Sequence, residues 1–397
     1  MIFTLEALEA RQGDALLLHW GDPDEPRLIV IDAGPRGVYR RSVKPRLQEL
    51  RAAQEDPDQP LPIEILMVSH IDDDHIAGVL DLVAELVELD GEQRPLPWDV
   101  LTLWHNSFDD ILGNQGDELL AALSASLGPV ATSGVVPAGL PIHREAALVL
   151  ANVRQGRVLR NDAERLSLLL NDPFRHPADL ERPGLVRATA GAPTEVPLDG
   201  GLTLTVIGPT QDRLEALQEE WDRELPAILR KEREKQQEAA AQAFDDESVP
   251  NLSSIVALAE AAGKKMLLTG DARGDFILES LESTGLLETG GTLELDLLKM
   301  PHHGSFHNVE QVFFERLPAD HYVISANGQH GNPDLPTLEM LSAARGDAEF
   351  TLWLTNREPR LDEFFAAERE SGKRYQVNYR DPEALSLQVE LGDPLGR

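Results

Sequence analysis

The sequence predicts a mixed α/β (α+β) protein in which two β-sheets pack together, with helices outside and a helical insertion between two strand-rich halves. Short apolar runs of strand length alternate with helical patterns in residues 1–105 and again from residue 202 onward. The stretch between the halves, about 106–193, is mostly helical in pattern, has Gly and Pro breaks and contains no chemical motif. No internal period indicates a repeat protein, so we expect one domain over residues 1–397.

The first half supplies five predicted strands with two helices between them. The run at 63–69 is apolar without clean alternation, which is typical of a strand buried on both faces. The run at 27–32 ends in Ala33-Gly34, which predicts a glycine turn. The strands are Ile2–Leu8, Ala15–Trp20, Arg27–Asp32, Ile63–Ser69 and Val100–His105, and the helices are Ser42–Gln54 and Ala77–Leu89.

The second half resumes the strand pattern and contains a charged segment. Asp212–Ala243, within an excursion of about 212–250, predicts a solvated helix, which is either a surface excursion without chemistry or a docking surface for a protein partner. The predicted strands are Leu202–Ile207, Ser254–Ala259, Lys265–Thr269, Leu293–Met300, His321–Ser325, Phe350–Leu354, Tyr375–Tyr379 and Leu385–Leu391. The predicted helices are Arg273–Glu282, Val309–Leu317 and Thr337–Ala344.

Composition indicates a soluble chain with a large core. Hydrophobic residues make up 42%, yet no apolar run is long enough to span a bilayer and no signal-peptide pattern opens the chain. We therefore expect a cytoplasmic protein without a membrane partner. The chain has no cysteine, so it forms no disulfide, and any metal must be bound by His, Asp or Glu.

The net charge of −33 argues against broad, non-specific binding of nucleic acids, because such a surface repels phosphate backbones. This net charge does not exclude a local basic track. Such a track, or simply an exposed helix face, is formed by Arg36, Arg40, Arg41, Lys44 and Arg46.

The most informative segment is Ser69–His75, which reads Ser-His-Ile-Asp-Asp-Asp-His and follows a buried-type strand. Unpaired charges in a low-dielectric interior cost on the order of several kcal/mol, so these groups either face water or surround a cation. An exposed acidic turn that caps the next helix is the alternative. Imidazole nitrogens and carboxylate oxygens suit Zn²⁺, Mn²⁺ or iron.

Two further strand ends carry the same kinds of side chain. Thr269-Gly270-Asp271 ends one predicted strand, and Pro301-His302-His303-Gly304 ends another. Each alone is an ordinary turn in many proteins. Three such strand ends in one chain favour a metal site in which Asp271 bridges two ions.

These motifs, in this order, resemble those of the metallo-β-lactamase superfamily, and most closely the branch that includes the metallo-β-lactamase domain of the competence protein ComEC. The resemblance spans about residues 13–305 and implies an αββα sandwich with a dinuclear metal site. Asp72 stands where the widespread superfamily motif has a second His, and an oxygen ligand there makes Mn²⁺ a competitor to Zn²⁺. The matching motifs are Gly13-Asp14-Ala15-Leu16-Leu17, Ile31-Asp32-Ala33-Gly34, Ser69–His75, Asn251-x-x-Ser254, Leu268-Thr-Gly-Asp271 and Leu298-Lys-x-Pro-His-His-Gly-Ser305.

The resemblance also implies roles for individual residues. His70 and Asp72 would bind one ion, Asp74 and His75 the other, and Asp271 both. Either His302 or His303 completes the second ion's ligands, and the remaining ligand is His105 or, as a weaker candidate, His143. Asp32 would support a ligand. Lys299 and His330 are candidates to face substrate or to support the site. Lys299 is equally interpretable as a strand residue with a surface tip, and His330, which stands where the related branch has Gly-His-Pro-His, is more simply interpreted as an exposed loop residue.

The expected function is metal-dependent hydrolysis, in which two divalent ions (Zn or Mn) activate water and Asp74 orients it. The resemblance implies a phosphodiester substrate, either a small phosphodiester or a short nucleic acid. Hydrolysis of a lactone, amide or thioester at the same site is the second interpretation. The third is a metal-binding interaction module without turnover, for which the acidic helices would be docking surfaces.

Overall fold

The computed structural model describes residues 1–107, 144–176, 179–215 and 253–396. The strands are β1 (Ile2–Leu8), β2 (Leu16–Asp22), β3 (Glu25–Ile31), β4 (Leu61–Val68), β5 (Trp98–His105), β6 (Leu169–Leu170), β7 (Arg175–His176), β8 (Asp179–Pro183), β9 (Thr194–Leu198), β10 (Leu202–Gly208), β11 (Val256–Ala261), β12 (Lys264–Leu268), β13 (Leu295–Lys299), β14 (Ala319–Ile324), β15 (Thr351–Leu354), β16 (Gln376–Tyr379) and β17 (Ser386–Glu390). The α-helices are α1 (Lys44–Ala52), α2 (Asp73–Gly91), α3 (Arg144–Arg165), α4 (Gly274–Ser283), α5 (Gln311–Arg316), α6 (Leu335–Arg345) and α7 (Pro359–Glu370). A π-helical turn, Tyr39–Val43, precedes α1, and short 3₁₀ turns lie at Pro301–Gly304 and Phe306–Asn308.

Most strands belong to two mixed sheets. The first has the order β17-β1-β2-β3-β4-β5-β6 and is antiparallel as far as β3, then parallel from β3 to β6. The second has the order β16-β15-β14-β13-β12-β11-β10-β9, with β12 to β16 parallel and the other pairs antiparallel. Parallel strands connected through helices explain the strand–helix alternation of the sequence.

The hydrophobic core explains how the layers pack. One buried cluster joins side chains of both sheets, such as Leu5 and Leu18 of the first and Val206 and Leu297 of the second. A second cluster lies between the first sheet and α1, α2 and α3, and a third lies between the second sheet and α4 to α7. The two sheets therefore face each other and the helices cover their outer faces. No helix among the described residues is long and apolar enough to cross a membrane.

The predicted mixed α/β class with two sheets is confirmed, and the strands of both halves agree with prediction to within a few residues. The helical prediction for 106–193 is correct for α3 but wrong for 169–183, where three short strands form. Two elements escaped the sequence analysis, β9 and α7. In the charged excursion of about 212–250, residues 216–250 lie outside the described residues, as do residues 108–143 of the insertion.

The parallel strands decide where functional side chains meet. The carboxyl ends of β3, β4 and β5 lie at one edge of the first sheet, and those of β12, β13 and β14 lie at one edge of the second. Asp32, the segment His70–His75, Asp271 and the pair His302 and His303 each follow one of these strand ends. Loops at the carboxyl ends of parallel strands are the usual place for ligand sites in such sheets.

Candidate metal centre

The loop after β4 places His70 and His75 side by side. His70 lies two residues after the end of the strand, and α2 begins at Asp73, so that His75 lies in the first helical turn. The two imidazole rings are buried with their centroids 4.0 Å apart. Asp73 and Asp74 occupy the start of α2, where carboxylates are favoured by the helix dipole.

Asp271 comes from the turn after β12 and is buried. The preceding Gly270 has φ +52°, in the left-handed region that side chains rarely adopt. A Cβ at Gly270 would lie 3.2 Å from Cβ of Ser69. The glycine therefore lets the β12 turn approach the β4 loop closely enough for Asp271 to reach the histidines.

His302 and His303 lie in the 3₁₀ turn after β13 and adopt a left-handed backbone, with φ values of 45° and 56°. Such a conformation costs about 1–2 kcal/mol per non-glycine residue, so the surrounding structure must hold it. One holding contact is the hydrogen bond from the backbone N–H of His302 to the carbonyl of Gly270, at 3.2 Å. Backbone strain of this kind concentrates at functional sites.

Four imidazoles converge on one carboxylate oxygen, Oδ2 of Asp271. Their Nε2 atoms lie at similar distances from this oxygen, too long for hydrogen bonds. The distances are 3.8 Å from His70, 3.4 Å from His75, 3.7 Å from His302 and 3.4 Å from His303.

The other nitrogen of each of these rings, Nδ1, faces a hydrogen-bond acceptor. Nδ1 therefore carries the proton in the neutral ring and leaves a lone pair on Nε2. Ligating histidines are held by this same arrangement in metal sites. The acceptors are the Ser69 hydroxyl for His70 (3.1 Å), the Asp32 carboxylate for His75 (2.8 Å), the Asn308 side-chain oxygen for His302 (2.8 Å) and the Ser325 carbonyl for His303 (2.9 Å).

Asp32 organises this network of hydrogen bonds. Its φ is 55°, and its carboxylate accepts hydrogen bonds from the backbone N–H and the hydroxyl of Ser69, at 2.8 and 2.5 Å. Because the Ser69 hydroxyl donates to Asp32, its oxygen is left to accept from Nδ1 of His70. Asp32 thus orients His75 directly and His70 through Ser69.

The charges of the centre need a balancing cation. Burial alone would raise the pKa of Asp271, but the four imidazoles hold it well below its usual value. Burial alone would lower the pKa of His75, but Asp271 and Asp32 outweigh it and raise this pKa well above its ordinary value. For His303, Asp271 and Asp14 outweigh burial and raise the pKa to about 9. Positive charge must be present here, as protons on the rings or as a metal ion.

The donor set fits a metal ion better than protons. The Nε2 atoms of His70, His75 and His303 and one oxygen of Asp271 are buried and have no hydrogen-bond partner. Two donors about 2.1 Å from one tetrahedral ion lie roughly 3.4 Å apart, which is close to the separations found here. Nitrogen and oxygen donors without sulfur suit Zn²⁺, Mn²⁺ or iron.

Overlapping groups of these residues can share an ion. Within each group, donor atoms from all three side chains lie within 4.8 Å of one another. Among the described residues the groups are His70–His75–Asp271, Asp74–His75–His303, Asp14–Asp271–His303 and Asp14–Asp32–His75.

Asp72 and Asp74 lie at the more open side of the centre, with side chains 26% and 29% exposed. Oδ2 of Asp72 is 3.7 Å from Nε2 of His70, and Oδ2 of Asp74 is 3.8 Å from Nε2 of His303. Both carboxylates lie beside the cluster, but only Asp74 belongs to one of the ligand groups of the described residues.

Asp14 was quoted as part of a motif but was given no role by the sequence analysis, because an aspartate in a short turn between strands is unremarkable. The structure buries it beside the centre, with Oδ1 at 3.4 Å from Nδ1 of His303. Its other oxygen forms an ion pair with the ammonium group of Lys299, which is also buried. The signals in the sequence were the position of Gly13-Asp14 at a strand boundary and its place among the motifs of the family resemblance.

The expectation that Lys299 faces substrate is wrong. Lys299 is the last residue of β13 and is only 1% exposed, and its ammonium group points into the protein toward Asp14. A buried ammonium needs a carboxylate partner, and Asp14 provides it. Lys299 therefore affects the centre indirectly, because its ion pair fixes Asp14, which lies beside His303.

The remaining candidates are not brought into the cluster. His105 is buried at the end of β5, and its Nε2 lies against Gly156 of α3, where a Cβ would be 3.2 Å away. None of the ligand groups among the described residues contains His105. His330 is exposed on a loop, which agrees with the simpler interpretation. His143 lies outside the described residues.

Neither a protein-family model nor a curated protein matches this chain.

Proposed function

We propose that this protein is a metal-dependent hydrolase with the αββα sandwich of the metallo-β-lactamase superfamily, similar to the ComEC branch. The observation that carries the proposal is the set of four imidazole Nε2 atoms directed at one buried carboxylate, Asp271. Each Nδ1 atom is held by an acceptor, and three of the Nε2 atoms are buried without a hydrogen-bond partner. Two facing mixed sheets with outer helices are consistent with that sandwich.

In this proposal His70 and Asp72 hold one ion, Asp74 and His75 hold the other, and Asp271 contacts both. The grouping of His303 with Asp74 and His75 supports His303 as the further ligand of the second ion. His302, whose side chain is 28% exposed, adds a nitrogen on the more open side of Asp271. Zn²⁺ and Mn²⁺ are the candidate ions, and the number of carboxylates favours testing Mn²⁺ alongside Zn²⁺.

The proposed reaction is hydrolysis of a phosphodiester. When bound, the ions would supply Lewis-acid activation of a water molecule and neutralise charge on the phosphoryl oxygens. Asp74, partly exposed beside His303, accepts a hydrogen bond from the attacking water and orients it. Asp32 and Asn308 keep the rings of His75 and His302 in place. The motif resemblance supports a phosphodiester as the substrate.

The test is metal content by elemental mass spectrometry on protein purified without chelator, followed by assay on a bis-aryl phosphodiester. We expect about two ions per chain and hydrolysis that depends on them. Asp271→Ala should lose both, with hydrolysis falling more than about a hundredfold. The matched control is Asp296→Ala in the same sheet, because the Asp296 carboxylate bonds Lys264 and lies outside the ligand groups of the described residues.

A folded wild-type protein that contains no metal and binds neither added Mn²⁺ nor added Zn²⁺ would overturn the proposal. Retention of metal and activity by Asp271→Ala would overturn the ligand assignment. Metal-dependent hydrolysis of esters or thioesters without hydrolysis of the diester would keep the metal centre and replace the substrate.

A further inference from the structure

Two loops beside the metal centre carry three exposed arginines, Arg11, Arg36 and Arg40, here called the arginine rim. The first loop, residues 9–14, joins β1 to β2. The second, residues 32–43, follows β3 and contains the π-helical turn. The proposed hydrolase function gives these three arginines no role.

The structure separates the basic track of the sequence into paired and unpaired cations. Arg46 is buried against Glu6, Lys44 pairs with Glu85 at 2.6 Å, and Arg41 pairs with Glu9 at 2.8 Å. The other two members of the track, both in the arginine rim, have no carboxylate partner among the described residues, and neither does Arg11. Positive charge is therefore left unneutralised at the rim although the chain carries a net charge of −33.

Backbone contacts fix both loops against the metal centre. The N–H of Gly34 donates to the carbonyl of Asp14 at 2.8 Å, and the N–H of Ala33 donates to the carbonyl of His75 at 3.2 Å. Gly13 packs on Asp74 so closely that a Cβ would lie 1.9 Å from the Asp74 carbonyl oxygen. Because consecutive Cα atoms are about 3.8 Å apart, the Cα atom of Arg36 lies within about 8 Å of the Cα atom of Gly34.

The π-helical turn Tyr39–Val43 is well anchored. The Tyr39 hydroxyl donates to Glu85 at 3.1 Å and accepts from the indole N–H of Trp98 at 3.1 Å. Tyr39, Ser42 and Val43 are buried, so Arg40 is directed outward. Single π-helical turns occur often at functional sites, where they reposition side chains.

We infer that the arginine rim binds a phosphate group of the substrate other than the one that is hydrolysed. This inference rests on the proposed phosphodiesterase function and narrows its substrate to a phosphodiester that carries a second phosphate group. An unneutralised cationic rim beside the centre attracts an additional phosphate, because phosphate is bound best by unpaired guanidinium groups. The acidic remainder of the surface repels a long duplex.

The first experiment compares a dinucleoside monophosphate with the same compound carrying a 5′-phosphate. The scissile diester is identical in the two, so any preference measures binding of the extra phosphate. At low salt we expect kcat/KM to be about five- to tenfold higher for the phosphorylated compound. Arg36→Ala/Arg40→Ala should abolish this preference and leave hydrolysis of the unphosphorylated compound unchanged.

The matched control is Arg369→Ala/Arg374→Ala, which changes the net charge by the same amount. Both residues are exposed, one in the last turn of α7 and the other before the amino end of β16. That end of the sheet is opposite the strand ends that carry the centre. Arg11 is left unchanged because its φ of 59° would make a substitution alter backbone strain as well as charge.

The second experiment needs no turnover. A fluorescent single-stranded oligonucleotide with hydrolysis-resistant phosphorothioate linkages is titrated with protein at several salt concentrations. Each phosphate contact adds about 0.7 to the slope of log affinity against log salt for a single strand. Arg36→Ala/Arg40→Ala should therefore reduce the slope by about 1.4, and the control pair should leave it unchanged.

The outcomes separate the two proposals. Equal hydrolysis of both dinucleotides by the wild type, together with an unchanged salt slope in Arg36→Ala/Arg40→Ala, would disprove the role of the rim and leave the hydrolase proposal standing. If neither compound is hydrolysed by metal-loaded protein but the slope falls only in that variant, phosphate binding at the rim is supported and phosphodiester hydrolysis fails.

Discussion

Among the described residues, two clusters of charged side chains are buried, and they differ in how their charged groups are paired. The first lies between the first sheet and α1, where Glu6 accepts hydrogen bonds from His19 at 2.9 Å and from Arg46 at 2.6 Å. The hydroxyl of Ser386 also donates to Glu6. Both oxygens of this buried carboxylate therefore have donors from the protein itself.

The second cluster, the candidate metal centre, leaves donor atoms without hydrogen-bond partners among the described residues. Its imidazoles surround Asp271 at distances of 3.4 to 3.8 Å, and buried Nε2 atoms of three rings have no hydrogen-bond partner. The comparison shows that burial of charged groups alone does not identify a functional site. Lone pairs that converge on a common point, while the opposite side of each ring is anchored, are the distinguishing feature.

The largest expected effect tests whether the Glu6 cluster is purely structural. Glu6→Gln leaves the buried guanidinium of Arg46 without its main counter-charge, so we expect the free energy of unfolding to fall by about 3–5 kcal/mol. Urea unfolding measures this change, and metal content should not change. Glu49→Gln is the control, because Glu49 pairs with the same arginine but is 58% exposed and should contribute less than about 1 kcal/mol.

Loss of metal from the Glu6→Gln variant under conditions where it remains folded would contradict this prediction. The two clusters would then be coupled, and the distinction between a structural and a functional cluster would fail.

The metal centre should depend on an added ligand in a way that the Glu6 cluster does not. At a free ion concentration of 100 to 1,000 times Kd, the bound ion stabilises the fold by about 3–4 kcal/mol relative to chelated protein. Thermal unfolding with EDTA and with Mn²⁺ or Zn²⁺ measures the difference. Asp271→Ala should remove the difference, whereas Glu6→Gln should preserve it. Equal stability of wild-type protein with and without ions would contradict the prediction.

The pH dependence of stability should distinguish the clusters by sign. His19 and Arg46 outweigh burial and lower the pKa of Glu6 from 4.5 to about 2, so its contribution is present above pH 4.5 and lost as pH falls toward 2. In chelated protein, the raised pKa of His303, from 6.5 to about 9, gives a contribution that is present below pH 6.5 and lost as pH rises through 9. Bound metal reverses this trend, because metal requires unprotonated ligands.

Urea unfolding of chelated protein between pH 6 and 9.5 should therefore show stability falling with pH, and added metal should reduce or reverse that fall. His303→Gln is the control, since removing the imidazole should flatten the decline in chelated protein. A decline that is identical in His303→Gln and wild type would show that other groups cause it.

Substitution of Lys299 tests whether a residue outside the ligand groups of the described residues controls metal affinity. Lys299→Met removes the counter-charge of Asp14, which lies beside His303, and we expect metal affinity to fall about 10- to 100-fold. Competition with a chelating dye measures that affinity. Asp14→Asn should have a similar effect, and the double variant Asp14→Asn/Lys299→Met should lose less than the sum of the two, because the residues form one ion pair. Strict additivity would show that they act independently.

The sequence predicted the strands and the ligand loops because both leave local signals. Apolar runs of strand length predicted β1 to β5 and β10 to β15 closely, and His and Asp clusters at strand ends predicted where the centre lies. The roles of Asp14 and Lys299 could not be predicted, because an ion pair between residues so distant in sequence has no local signature. Helix α7 was missed because its charged residues hide its short apolar stripe, of which Leu361 and Phe365 are buried.

The smallest expected effect concerns His105, the ligand candidate that the sequence placed at the correct edge of the sheet. Val68 of β4 pairs with His105, so the residue lies at the strand end from which His70 follows. Its ring nevertheless lies against Gly156 of α3, and it shares no ligand group with the other histidines of the described residues. We therefore expect His105→Ala to keep the wild-type metal content and to change hydrolysis by no more than a few fold, whereas His303→Ala should lose metal. Loss of one ion per chain in His105→Ala would contradict this prediction. It would show that His105, at the end of β5, is a metal ligand together with the residues of the β4 loop.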